Sequence, residues 1–157
     1  MMKEKYPLFT IVDNPDIKKI LLCLPVDELF FMKAFEKFKD LKLKNSEIYF
    51  LIHQSFFHLI RGVDRHYLIP LIDYYLNRKG IPNKNFYKEI IKDKFFCSVD
   101  LNLKFNITTA NIVKNSAYNQ RIGKKFDHSS KYFNIEIVSN NSTKFYDKVI
   151  EILNNIK

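Results

Sequence analysis

The sequence predicts an α+β fold, in which an N-terminal cluster of about five helices precedes two or three antiparallel strands and a C-terminal helix. Apolar residues recur at helical spacing in the first 96 residues, alternate with polar residues from 99 to 108, and return to helical spacing near the end. We expect one domain, 1–157, with residues 1–96 as a mainly helical scaffold and residues 97–157 as a basic half that contains the strands.

The first two helices are predicted from a proline signal and an apolar stripe. Pro15 in the first helical position and Asp16 in the first turn predict a helix over 15–24. The next helix, 26–41, has acidic residues in its first turn and lysines toward its end, as the helix dipole favours. Its apolar stripe comprises Phe31, Ala34, Phe35, Phe38 and Leu41.

Three more helices complete the predicted scaffold. A largely apolar helix over 46–61 ends at Gly62, which suits the residue after a helix terminus. A further helix over 64–80 also ends at a glycine, and another covers 85–96. The apolar helix over 46–61 is therefore expected at the centre of the cluster.

The C-terminal half contains the predicted strands. Strict alternation over 99–108 and again over 132–137 predicts two half-buried strands, followed by a helix over 144–156. The intervening stretch is expected to be a long basic loop or wing. Three helices followed by such a strand pair resemble a winged-helix arrangement at the level of fold.

Positive charge is concentrated after residue 78. The whole chain carries a formal net charge of +9, and residues 79–157 contain 14 basic and 7 acidic residues. No acid occurs between Asp100 and Asp127, where lysines alternate with aromatic and amide side chains. This pattern predicts contact with phosphate groups and unpaired bases. The predicted nucleic-acid-binding residues are Lys104, Lys114, Tyr118, Arg121, Lys124, Lys125 and Lys131.

We therefore predict a non-enzymatic nucleic-acid-binding protein that prefers RNA to DNA. Lys, Asn, Ile, Phe and Tyr supply about half of the residues, which is typical of an A/T-rich genome. The composition favours a component of a ribonucleoprotein assembly, such as an organellar ribosome. An inhibitor whose basic half docks on an acidic protein and a winged-helix-like DNA-binding protein are alternatives.

A second alternative comes from a short motif. Arg61-Gly-Val-Asp-Arg-His66 resembles the R-x4-H motif of HEPN-type ribonucleases, which are helical-bundle proteins of toxin and defence systems. The resemblance implies that His66 performs acid–base chemistry and that Arg61 holds the scissile phosphate. Gly62 stands where that family usually has a polar residue.

Other function classes lack support in the sequence. The chain contains no glycine-rich phosphate loop, and His53 and His58 are five residues apart, whereas two metal ligands on one helix face need a spacing of three or four. Cys23 and Cys97 are expected to be buried thiols. We expect no cofactor, no metal and no membrane segment, and an intracellular location in the cytoplasm or an organelle matrix.

Overall fold

The computed structural model of the chain describes residues 17–156, which form a six-stranded sheet with every strand pair parallel. The strands lie in the order β3-β2-β1-β4-β5-β6, which is a doubly wound, Rossmann-like arrangement. The strands are β1 (Lys18–Cys23), β2 (Ser46–His53), β3 (Leu68–Leu71), β4 (Phe95–Asp100), β5 (Ala117–Lys124) and β6 (Ile135–Ile137).

Within residues 17–156, three α-helices and several short turns of helix lie between or after these strands. The α-helices are α1 (Glu28–Phe38), α2 (Ile107–Ser116) and α3 (Ser142–Asn154). The shorter elements are a π-helix at Phe86–Ile91 and 3-10 turns at Gln54–Leu59, Arg65–Tyr67, Asp73–Tyr75 and Ser129–Lys131. The fold is therefore α/β.

The sheet carries a hydrophobic core on each of its two faces. Alternate residues of β1 belong to different cores, with Leu22 facing the layer of α1 and α3 and Leu21 facing the layer of α2 and the π-helix. Both leucines are fully buried. The central strands are therefore covered on both sides, as all-parallel sheets require.

This architecture contradicts the predicted helical cluster with antiparallel strands. The predicted helix 15–24 lies partly outside the described residues, and its remainder is β1. The predicted helices 46–61 and 64–80 are instead β2 and β3, each followed by 3-10 turns. Strands buried on both faces have continuous apolar runs rather than alternation, so periodicity alone mistakes them for buried helices.

The alternation over 99–108 was also misleading. Here β4 ends at Asp100, and α2 begins at Ile107 after the cap residue Asn106, whose side chain accepts the Thr109 N–H. Residues 85–96 divide between the π-helix and the start of β4. Three of the predicted elements are confirmed in type, namely α1, β6 and α3, although β6 pairs in parallel with β5.

Candidate functional site

A crevice lies at the carboxyl ends of β1 and β4, the two central strands. The chain leaves β1 toward β2 on one side of the sheet and leaves β4 toward β5 on the other, so this is the topological switch point. Ligands of open parallel sheets bind in the crevice at this position. The crevice has a volume of about 120 Å³ and lies between the loop 24–27 with Phe30 and the loop 101–106.

A hydrogen-bond network centred on Asn102 holds the two walls of the crevice together. Asn102 Oδ1 accepts the Val26 N–H at 3.1 Å from across the crevice. Asn102 Nδ2 donates to Asp100 Oδ1 at 2.9 Å and to Thr109 Oγ1 at 3.0 Å. The Thr109 hydroxyl in turn donates to Asp100 Oδ2 at 2.9 Å. The network therefore links the loop after β1, the loop after β4 and the first turn of α2.

Asp100 is the ionisable member of this network. Burial raises the pKa of its carboxyl from 3.8 to about 6, although hydrogen bonds from Asn102 and Thr109 oppose the rise. The side chain is 3% exposed, so water does little to stabilise its charged form. Ionisation of Asp100 in the folded protein therefore costs about 3 kcal/mol relative to the unfolded chain.

Because the pKa of Asp100 is raised by folding, this carboxyl favours the folded state most below pH 4 and loses that contribution as the pH rises to about 6. Asp100→Asn keeps the shape of the side chain and removes the titration. We expect the variant to gain about 3 kcal/mol relative to the wild type between pH 4 and pH 7. Urea unfolding of both proteins at pH 4, 5, 6 and 7 measures this difference.

The matched control is Asp127→Asn, because Asp127 is exposed. Its free energy of unfolding should differ from that of the wild type by less than about 0.5 kcal/mol at each of these pH values, as is usual for an exposed side chain. A constant difference for Asp100→Asn as well would contradict the assignment of the pH dependence to Asp100.

The turn from β1 into α1 differs from a dinucleotide-binding turn. Residues 24–27 contain no glycine, and Pro25 has no N–H to offer a phosphate. The Asp27 carboxylate accepts the Phe30 N–H at 3.3 Å and places negative charge at the start of α1. Phosphate groups of a ligand are therefore disfavoured at the α1 terminus.

Positive charge and aromatic rings meet beside the crevice, whose second wall includes Lys104 and Phe105. The Phe105 ring is 42% exposed, and its centroid lies 5.9 Å from that of Phe126 and 5.6 Å from that of Tyr132. Two lysine ammonium groups lie over these rings, one 4.5 Å from the Phe126 centroid and one 5.8 Å from the Tyr132 centroid. We name these residues the lysine–aromatic surface: Lys104, Lys114, Lys124, Phe105, Phe126 and Tyr132.

The structure brings together only part of the predicted nucleic-acid-binding set. Lys104, Lys114 and Lys124 belong to the lysine–aromatic surface, and Lys131 is exposed in the turn that precedes Tyr132. The predicted basic loop or wing is instead the helix α2 and the strand β5.

Three predicted residues have other surroundings. Lys125 Nζ pairs with Glu136 Oε1 at 3.4 Å, and Arg121 Nε donates to the Tyr132 carbonyl at 3.2 Å. Tyr118 lies at the amino end of β5, where its ring packs edge-on against Phe96 at 5.8 Å. Tyr118 is therefore at the opposite edge of the sheet from the crevice.

Arg61 and His66 do not lie in a helical bundle. The Arg61 guanidinium donates to the carbonyl oxygens of His58 and Ile60 at 3.0 and 2.8 Å. His66 lies in the turn Arg65–Tyr67, with its ring 6.0 Å from that of Tyr49. The parallel sheet contradicts the fold that the HEPN resemblance implies, and the geometry of Arg61 and His66 adds no support for that activity.

Sequence reasoning missed both the buried network and a polar cluster at the end of β2. His53 Nδ1 lies 2.7 Å from Ser55 Oγ, and His53 Nε2 lies 2.9 Å from Asp73 Oδ1. This cluster joins the end of β2 to the segment after β3. Asp100 is the last residue of the apolar strand β4, and Asn102 lies two residues later. Polar residues at a strand end point to a site once the sheet is known to be parallel.

Among residues 17–156, no three His, Cys, Asp or Glu side chains converge as metal ligands, and both cysteines are buried free thiols. Over the same residues, none of the helices has the length and apolar character needed to cross a membrane. Comparisons with protein-family models, curated proteins and solved structures found no match.

Proposed function

We propose that the protein binds single-stranded nucleic acid, RNA in preference to DNA, at the carboxyl edge of its sheet. The observation that carries this proposal is the contact of lysines with a partly exposed aromatic group beside the switch-point crevice. Charge supplies attraction for the phosphates, and the rings supply surfaces on which unpaired bases stack.

The three lysines of this surface are available to phosphate groups. Lys104 and Lys114 are exposed and Lys124 is half-buried. Within the described part of the chain, no carboxylate lies within 4.0 Å of any of their ammonium groups. Lys125, by contrast, is neutralised by Glu136 and is expected to contribute little.

The aromatic group favours single strands over duplexes. Phe105 belongs to a loop and leaves two-fifths of its surface in contact with solvent. A base within a duplex is stacked on both faces and is not accessible to such a ring, whereas an unpaired base stacks on it directly. Binding to single strands should therefore exceed binding to a duplex of the same length.

A salt titration tests the proposal. If three lysines neutralise phosphates of a single strand, the logarithm of the association constant should fall against the logarithm of salt concentration with a slope of about −2. Fluorescence anisotropy with labelled single-stranded RNA, single-stranded DNA and duplex DNA between 50 and 300 mM salt gives this slope. No binding to any of the three at 50 mM, or an affinity that does not change with salt, would overturn the proposal.

The same proposal implies that, in the cell, the protein is a component of a ribonucleoprotein assembly. Its support is the surplus of basic residues after residue 78. A pull-down with and without ribonuclease treatment tests it, because partners that are held through RNA are released by the nuclease. Partners that remain bound after this treatment would favour the acidic-protein alternative.

A second candidate function is the binding of a free mononucleotide. It is favoured by the strand order, which places a crevice at the switch point. A ligand that binds only the folded state raises the free energy of unfolding by RT ln(1 + L/Kd), where L is the free ligand concentration, and the melting temperature rises with it. Thermal unfolding with increasing concentrations of ribonucleoside monophosphates should then show a melting temperature that keeps rising with the logarithm of concentration above Kd, and Phe105→Ala should remove this rise. Absence of any rise would leave nucleic-acid strands as the ligand.

A further inference from the structure

We infer that the switch-point crevice selects a single-ring base, so that the bound strand carries a pyrimidine at this point. This inference rests on the proposed binding of single-stranded nucleic acid and names the base that the crevice accepts. It follows from the size of the crevice, the rigidity of its walls and the chemistry of the side chains that line it.

The size of the crevice favours one ring. Its volume is about 120 Å³, and for comparison an apolar cavity of about 150 Å³ in a protein interior accommodates benzene. A pyrimidine is a six-membered ring with small substituents, whereas a purine has a second, fused ring. The crevice therefore matches the size of one ring, and we expect the second ring of a purine to remain outside it.

The walls of the crevice are held in place. Asn102 uses its carbonyl oxygen on the Val26 N–H of one wall and its amide hydrogens on Asp100 and Thr109 of the other. Widening the crevice for a purine would break the part-buried hydrogen bond between the Val26 N–H and Asn102 Oδ1, the one bond of this network that crosses the crevice. The network therefore holds the walls at a set distance, and this distance determines which bases the crevice accepts.

The lining offers the contacts that a pyrimidine needs. Phe30 and Phe105 contribute aromatic rings to the two walls. The Asn106 side chain accepts the Thr109 N–H through Oδ1 at 3.0 Å, and within residues 17–156 its Nδ2 group has no hydrogen-bond acceptor. Both uracil and cytosine have a carbonyl oxygen at position 2 that accepts such a donor. Lys104, in the same loop, is placed to contact an adjacent phosphate.

A preference for pyrimidines is the reverse of the preference for purines that stacking on an open aromatic surface would produce. Purines have the larger ring system and stack more strongly on an open aromatic platform. A flat, unwalled surface would therefore favour adenine and guanine. Pyrimidine preference accordingly distinguishes the crevice from simple stacking on exposed Phe105.

The test uses a host strand of abasic ribose-phosphate units with one central guest base, so that charge stays constant. We expect the wild type to bind strands with guest uracil or cytosine about 5-fold or more tightly than the abasic host, and strands with guest adenine or guanine less than about 2-fold more tightly. Phe105→Ala should reduce the affinity for all four guest-base strands to the affinity for the abasic host strand. Phe105→Leu keeps an apolar side chain and should lose most of the same gain.

Tyr118→Ala is the matched control, because it removes an exposed ring at the opposite edge of the sheet. It should preserve the pyrimidine preference. Equal gains for all four guests, or larger gains for purines, would overturn the inference while leaving the proposed nucleic-acid binding in place. Failure of the host and of homopolymer RNA alike to bind at 50 mM salt would overturn both.

Discussion

The double substitution Lys104→Glu and Lys124→Glu is expected to lower the affinity for single-stranded RNA by about 100-fold or more at 50 mM salt. Each lysine is expected to form a charge-assisted contact with a phosphate, and each glutamate adds repulsion at the same place. The salt dependence should weaken as well, with the slope falling from about −2 to about −0.7 because one of the three lysines remains. Anisotropy titrations over a range of salt concentrations measure both effects.

A control with the same change in net charge is available at the opposite edge of the sheet. Lys42 precedes β2 and Lys92 precedes β4, and both are exposed. Lys42→Glu with Lys92→Glu should lower the affinity by less than about 5-fold, through the loss of long-range attraction alone. Equal losses in the two double variants would show that net charge, and not the lysine–aromatic surface, governs binding.

Phe35→Ala is expected to lower the free energy of unfolding by about 3–5 kcal/mol, a large share of the stability of a domain. The Phe35 ring is 1% exposed, stacks on Phe31 at 5.9 Å and meets Phe50 of β2 edge-on at 6.2 Å. Its removal leaves a cavity between α1 and the sheet. Urea unfolding at neutral pH, analysed as a two-state transition, measures the loss.

Leu29 lies on the same helix and provides the contrast. It is 72% exposed, so Leu29→Ala should change the free energy of unfolding by less than about 0.5 kcal/mol. If Phe35→Ala proved as mild as Leu29→Ala, α1 would not be packed on the sheet through this face.

The elements that the sequence predicts correctly are those with one buried face. In α1, Phe31, Phe35 and Phe38 face the sheet while the lysines face solvent, so the stripe follows the helical period. The same argument holds for α3. The strand β1 has no such period, because Ile20 to Leu24 are buried whichever way they point.

The length of an apolar run is the signal that would have distinguished these buried strands from helices. The apolar run in β1 spans four residues and the one in β2 spans five, and such short runs suit strands better than helices. The alternation after Val99 arises from a different cause. Its polar members include Asp100, Asn102 and Asn106, which form the buried network and cap α2 instead of facing solvent from a strand.

The charge pattern of the sequence predicted some residues of the candidate site, whereas the others could be identified only from the structure. The stretch without acids between Asp100 and Asp127 does contain Lys104, Lys114 and Lys124. Tyr118 belongs to the same stretch but lies at the other end of β5, because a strand carries its first and last residues to opposite edges of the sheet. The contribution of the loop after β1 depends on the contact between Val26 and Asn102, which are 76 residues apart in sequence, and local patterns do not encode such a contact.

Photocrosslinking followed by mass spectrometry is the most direct test of the proposed binding surface. An oligouridylate that carries 4-thiouridine is irradiated on the wild-type protein, and the crosslinked peptides are identified. The lysine–aromatic surface predicts crosslinks within 102–106 and 124–132, with Phe105 the principal site, and their loss in Lys104→Glu with Lys124→Glu. Crosslinks confined to Phe96 and Tyr118 at the amino edge of the sheet, or spread evenly over the chain, would contradict this account.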